Sequence, residues 1–140
     1  MALIVDTKEY LDTICQLLRE GKRDLPVPVT GDSMRPFLNP GDIVYLNRYA
    51  VLEKGDIVLF TRPDGSYVLH RIYRIGKDGS YLMLGDNQLL PEPVPAERIH
   101  AKVTSARCKD KLLTPKSLRW RCYAKLWTRP ARRIIGKLRR

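Results

Sequence analysis

Five glycine-centred turns crowd into the middle of this chain: Asn39-Pro40-Gly41-Asp42, Glu53-Lys54-Gly55-Asp56, Pro63-Asp64-Gly65-Ser66, Lys77-Asp78-Gly79-Ser80 and Leu84-Gly85-Asp86-Asn87. They leave only short β-branched and aromatic runs between them, too brief for helices of ordinary length and well matched to strands joined by tight turns. The core is therefore read as mainly β, an antiparallel sheet coiled into a partly open barrel or sandwich. Gly-Asp-Ile-Val occurs twice, at 41–44 and 55–58. The same turn-to-strand chemistry explains it better than a repeat architecture does.

The flanks read differently. Thr7 caps a helix running to about Glu20, with Leu11, Ile14, Leu17 and Leu18 at helical spacing and Gly21 at its end, so residues 1–24 form an N-terminal amphipathic helix covering a sheet edge. Pro26 and Pro28 mark an extended lead into the core, residues 25–113, and Pro91, Pro93 and Pro95 an extended loop after Asp86. At 140 residues with 44% apolar content, one domain with a core of ordinary size is expected.

Charge is divided unevenly. Residues 1–100 hold 12 basic and 14 acidic side chains, whereas residues 101–140 hold 14 and 1. In the tail, residues 114–140, Trp120, Tyr123 and Trp127 lie among arginines and lysines. Such a segment suits an anionic membrane surface, a partner or the domain's own acidic face. Nucleic-acid binding uses the same charges but is the weakest of these readings. The tail is expected to be separable from the chemistry of the core. No run approaches the roughly 18–20 apolar residues of a membrane span, and no secretory signal precedes the core. With three cysteines in no even framework, this points to a reducing cytoplasm, with peripheral membrane attachment through the tail. His100 has no neighbouring ligand pair, and neither a metal nor a cofactor is implied.

Three residues carry candidate chemistry. Ser33 sits in Thr30-Gly31-Asp32-Ser33-Met34-Arg35-Pro36, a turn in which the backbone N–H groups of Asp32 and Ser33 can converge on one carbonyl oxygen. The plainer reading of Gly-Asp-Ser is a loop with a capping serine. His70 lies in Ser66–Ile75, a strand whose alternation puts it on one face with Val68 and Ile72. A histidine there is either a core residue or a general base, its ordinary pKa near 6.5 placing the onset of activity at pH ~6–7. Asp86 is either an Asx-turn residue or the acid that holds the imidazole in its productive tautomer.

Taken together, these boxes resemble a known family. GDSMRPFLNPGDIV, residues 31–44, is similar to the nucleophile box of the signal peptidase and LexA-type serine peptidases. Lys54–Phe60, Val68–Ile72, Gly85-Asp86-Asn87 and Ile99–Val103 resemble the family's later strands and its Gly-Asp-Asn box, so the likeness covers about residues 25–106. Histidine at 70, where much of the family has lysine, aligns the chain with the histidine-type signal peptidases of archaea, the endoplasmic reticulum and spore formers. Arg71 is no substitute base, since a guanidinium stays protonated.

The resemblance implies Ser33 as nucleophile, His70 as base, Asp86 as orienting acid, and Met34 and Pro36 as shapers of substrate pockets. The implied function is a serine endopeptidase that removes a leader or signal-like peptide from a dedicated precursor, with small residues before the cut. Its rivals are a catalytically silent peptide-binding module and a nucleic-acid-associated regulator. Nothing in the sequence sets the oligomeric state.

Overall fold

The computed structural model describes residues 7–126. Eight strands form one antiparallel sheet: β1 (Leu25–Pro28), β2 (Ile43–Asn47), β3 (Ile57–Thr61), β4 (Tyr67–Ile75), β5 (Tyr81–Leu84), β6 (Glu92–Val94), β7 (Ile99–Cys108) and β8 (Lys111–Leu113). Their order is β1-β2-β7-β3-β4-β5-β6, with β8 paired to β7. Helices α1 (Thr7–Arg19) and α2 (Leu118–Leu126) flank the sheet. The expected mainly β, antiparallel fold is observed.

The turn glycines act as the sequence requires. Gly41 and Gly55 have φ of 94° and 96°, a region that side chains with a Cβ enter only under strain. Register shifts at Tyr45/Leu46, Leu59/Phe60 and Ile72/Arg74 bend three strand pairs, and irregularities of this kind increase local twist. The buried side chains form two clusters. The larger contains Leu11, Leu18, Met34, Phe37, Leu46 and Trp120. The smaller contains Val58, Phe60, Ile72, Met83, Val94 and Ile99. Strand β4 runs between them: Tyr67 and Leu69 pack on the larger cluster, while Val68 and Ile72 join the smaller, as alternation predicts.

α1 buries Leu11, Ile14, Cys15 and Leu18 against the larger cluster, while Leu17 stays half-buried. The stretch expected as an extended loop after Asp86 contains a strand, β6, and the extended lead holds another, β1. Pro26 and Pro28 lie in β1 at one sheet edge and Pro93 in β6 at the other. Edge strands tolerate proline because the missing N–H faces away from the ladder.

α2 changes the reading of the tail. Trp120 is buried, with its ring centroid 5.4 Å from that of Phe37, and Tyr123 lies tilted against the same ring at 5.1 Å. Arg119 Nη2 donates to the carbonyls of Pro36 and Phe37 at 3.1 and 3.0 Å. Ala124 lies over Gly55, where an added Cβ would come within 3.0 Å of it. Residues 120, 123 and 124 share one helical face, and Phe37 offers that face an apolar seat. This helix is a structural part of the core, so the expected separability of residues 114–140 does not extend to it. Trp127 and the remainder of the basic tail lie outside the described residues. No helix among the described residues is long and apolar enough to cross a membrane.

Candidate active site

Two loops that are far apart in sequence are tied together beside His70. The Asn87 N–H donates to the Ser33 carbonyl at 2.8 Å, and Asn87 Nδ2 donates to the Asp32 carbonyl at 3.2 Å. Gly85 permits this approach. A Cβ there would lie 2.6 Å from the Ser33 carbonyl oxygen and 3.1 Å from His70 Nε2. Thus the backbone of Ser33 and the outer nitrogen of His70 close around one glycine, and both residues line a cavity of about 560 Å³. Ser33 Oγ makes no hydrogen bond to the imidazole among the described residues. The Arg35 N–H closes the serine turn onto the Asp32 carbonyl at 3.1 Å. The N–H groups of Asp32 and Ser33 donate to nothing among the described residues.

His70 is 1% exposed, edge-on to Phe60. Its Nδ1 has no hydrogen-bond partner among the described residues. The nearest carboxylate oxygen recorded for it is Glu92 Oε1, at 3.8 Å. Burial lowers the His70 pKa to about 4; the Glu92 charge opposes this and the Arg62 charge reinforces it. The imidazole is therefore neutral across the physiological range. A base of this kind would begin to act below the pH ~6–7 expected from an ordinary histidine. Glu92 is held below the usual carboxylate range, chiefly by its hydrogen bonds from Arg62. Arg62 Nε and Nη2 donate to Glu92 Oε2 and Oε1 at 3.1 and 2.8 Å.

Asp86 has a different principal partner from the one expected. Arg71 Nε and Nη2 donate to its Oδ1 and Oδ2, both at 2.8 Å, and Arg71 Nη1 donates to the Gly55 carbonyl at 2.9 Å. The Arg71 guanidinium also lies 5.2 Å from the centre of the Phe37 ring. Asp86 thus fixes the Gly-Asp-Asn loop to β4 and, through Arg71, to the Gly55 turn, while Asn87 ties the same loop to the serine turn. The carboxylate facing the imidazole is Glu92.

The cavity is walled by Thr7, Tyr10 and Leu11 of α1, by Val27 to Val29, and by Tyr67 to Leu69. Tyr10 Oη donates to the Pro26 carbonyl at 2.7 Å, and Tyr67 Oη donates to Asp12 at 2.6 Å, which ties α1 to β1 and β4. Met34, expected to shape a substrate pocket, lines the cavity. Pro36 does not, and its carbonyl faces Arg119 and Asn39 instead.

With the serine turn, the histidine strand and the Gly-Asp-Asn loop in one place, comparison with known proteins becomes decisive. The Peptidase S24-like family model matches residues 2–104. The chain belongs to the Peptidase S24-like family. The matched span holds Ser33, His70, Asp86 and Glu92, whereas α2 lies beyond it. Signal peptidase I W of Bacillus subtilis (strain 168) is 32% identical over 84 residues, which cover 54% of this chain and 44% of that protein. The chain thus matches less than half the length of this relative.

Reasoning from sequence missed Arg62, Glu92 and the Arg71–Asp86 pair in this S24-like site. A carboxylate on β6, two strands across the sheet from the histidine on β4, leaves no local spacing to read. The one available signal was acidic Glu92 between Pro91 and Pro93, five residues after Asn87 of the Gly-Asp-Asn box.

Proposed function

We propose that this S24-like chain is a serine endopeptidase in which Ser33 Oγ attacks the substrate carbonyl and His70 Nε2 accepts the hydroxyl proton. The oxyanion is taken up by the Asp32 and Ser33 N–H groups. When the carbon–nitrogen bond breaks, the imidazolium returns its proton to the departing amine. Water then repeats the sequence on the acyl-serine, releasing the carboxylate and restoring the hydroxyl. During each step the Nδ1–H of the imidazolium faces Glu92, which favours the charged form. Asp86 acts one layer back, through Arg71.

The observation that carries this reading is the closure of the Ser33 backbone and His70 Nε2 around Gly85 on a shared cavity. An extended precursor segment fits beside β1, a sheet edge whose Val27, with Val29 just beyond the strand, lines the cavity. Small residues before the cut follow from the likeness to signal peptidases, and a leader on a dedicated precursor is the substrate class. The test is incubation of a candidate precursor with the wild-type chain and with Ser33→Ala, read by mass spectrometry. A single cut made by wild type alone supports the reading. A second reading, a peptide-binding module without turnover, draws on the unbonded Ser33 hydroxyl; it predicts saturable binding of the precursor by both chains and cleavage by neither.

A further inference from the structure

Among the described residues lining the cavity, Arg62 is the one with a full charge at neutral pH; its neighbours there are apolar, hydroxyl or amide side chains and the neutral His70. Its counter-ion is not in the cavity wall. Glu92 sits behind it, between the guanidinium and His70 Nδ1. A guanidinium has five N–H donors in a planar fork. Glu92 takes those of Nε and Nη2, while Nη1 donates to nothing among the described residues. The side chain is 42% exposed, so an anion can reach the free edge from the cavity.

Resting on the peptidase reading above, we propose that Arg62 recognises an acidic side chain of the substrate and, by sharing its charge with that group, releases Glu92 to pair with His70. Arg62 is a positioning residue with respect to the imidazole and a binding residue with respect to substrate. Without an acidic substrate, the cation holds Glu92 on its own fork, and the buried Nδ1 stays without a partner. With one, two carboxylates compete for a single guanidinium, and Glu92 is the nearer to Nδ1. The imidazolium formed on proton transfer then gains a less contested counter-charge. The groups facing His70 are Glu92 of β6, Arg62 after β3, the Phe60 ring of β3, and Ser33 and Gly85 of the two loops. Arg71 and Asp86 face each other on the neighbouring side of β4.

The experiment uses internally quenched peptides with small residues before the cut, in which one glutamate is placed at successive positions and compared with glutamine at the same position. At one position wild type should favour glutamate about tenfold in kcat/KM, the scale of one charge-assisted hydrogen bond. Arg62→Gln should abolish that preference, and Arg62→Lys should restore part of it. Equal rates for every glutamate–glutamine pair in wild type overturn the proposal. A readout independent of turnover is the NMR titration of the His70 ring in Ser33→Ala. Arg62→Gln should move its midpoint to higher pH and saturating glutamate peptide should do the same, whereas glutamine peptide should not. An unmoved midpoint in Arg62→Gln overturns the coupling. Failure of every peptide to be cut, with the midpoint moving as expected, counts against the peptidase reading and leaves the Arg62–Glu92–His70 relationship supported.

Discussion

The guanidinium of Arg71 lies edge-on to the carboxylate of Asp86, both hydrogen bonds measuring 2.8 Å, with both side chains sealed from solvent. A buried pair of this kind is costly to break from one side, because the survivor is left as an uncompensated charge. Arg71→Met or Asp86→Leu should each destabilise the fold by about 3–5 kcal/mol, measured by urea unfolding. Combining the two should cost less than their sum. Strict additivity would show that the residues do not act as a unit.

The roles of Asp86 and Glu92 can be separated at His70. Asp86→Asn retains a hydrogen-bonding group for Arg71 and should leave the His70 titration midpoint nearly in place. Glu92→Gln removes the charge that raises the His70 pKa and should move the midpoint lower. Cleavage by Glu92→Gln should fall about 10²-fold, against 10³-fold or more for Ser33→Ala and His70→Ala. A larger shift in Asp86→Asn than in Glu92→Gln would restore Asp86 as the orienting acid.

Burial of His70 makes a pH prediction of definite sign. Its folded pKa, about 4, lies below the ordinary value of 6.5, so folding disfavours the proton. Stability from this group is fully present above pH ~6.5 and is lost as pH falls toward ~4. His70→Gln should therefore flatten the acid side of the stability profile over that window. For catalysis, kcat/KM should rise with pH through a limb well below the ordinary histidine range, because the base must be neutral. A limb at pH ~6.5 or above would show that His70 is not so strongly desolvated in the working enzyme.

Gly85→Ala would set a methyl carbon 2.6 Å from the Ser33 carbonyl oxygen, a distance that backbone cannot accept without moving. The serine turn should shift, lowering kcat by about 10²-fold, since ångström-scale misplacement of a reacting group has that effect. Circular dichroism should show the sheet intact. Unchanged kcat would mean that the loop spacing is not critical to the reaction.

Trp120→Ala should cost about 3–5 kcal/mol, as removal of a buried aromatic ring does. Deletion of residues 114–140 should cost at least as much and lower the thermal midpoint. A truncated chain as stable as the intact one would show that α2 is an appendage, as its composition alone implies.

Sequence by itself determined the parts of this protein that depend on neighbours along the chain. Glycines at the tight turns, alternation along β4 and the 3.6-residue spacing of α1 each encode a local backbone conformation. Together these set a mainly β fold with a leading helix and placed His70 and Val68 on one face. The motif order also marked Ser33 and His70 as a candidate pair. Tertiary structure decided what depends on distance through space. Asp86 and Glu92 are both acidic residues in or after the Gly-Asp-Asn box, and nothing local tells them apart. Pairing of β6 with β5 brings Glu92 toward His70, while the opposite face of β4 brings Arg71 to Asp86. Burial likewise turns a histidine of ordinary basicity into one neutral well into acid, and the Phe37 ring turns the start of a basic tail into a packed helix. Charge and aromatic content are written in the sequence, but desolvation and partner choice arise only when strands distant along the chain pair and bury these side chains together.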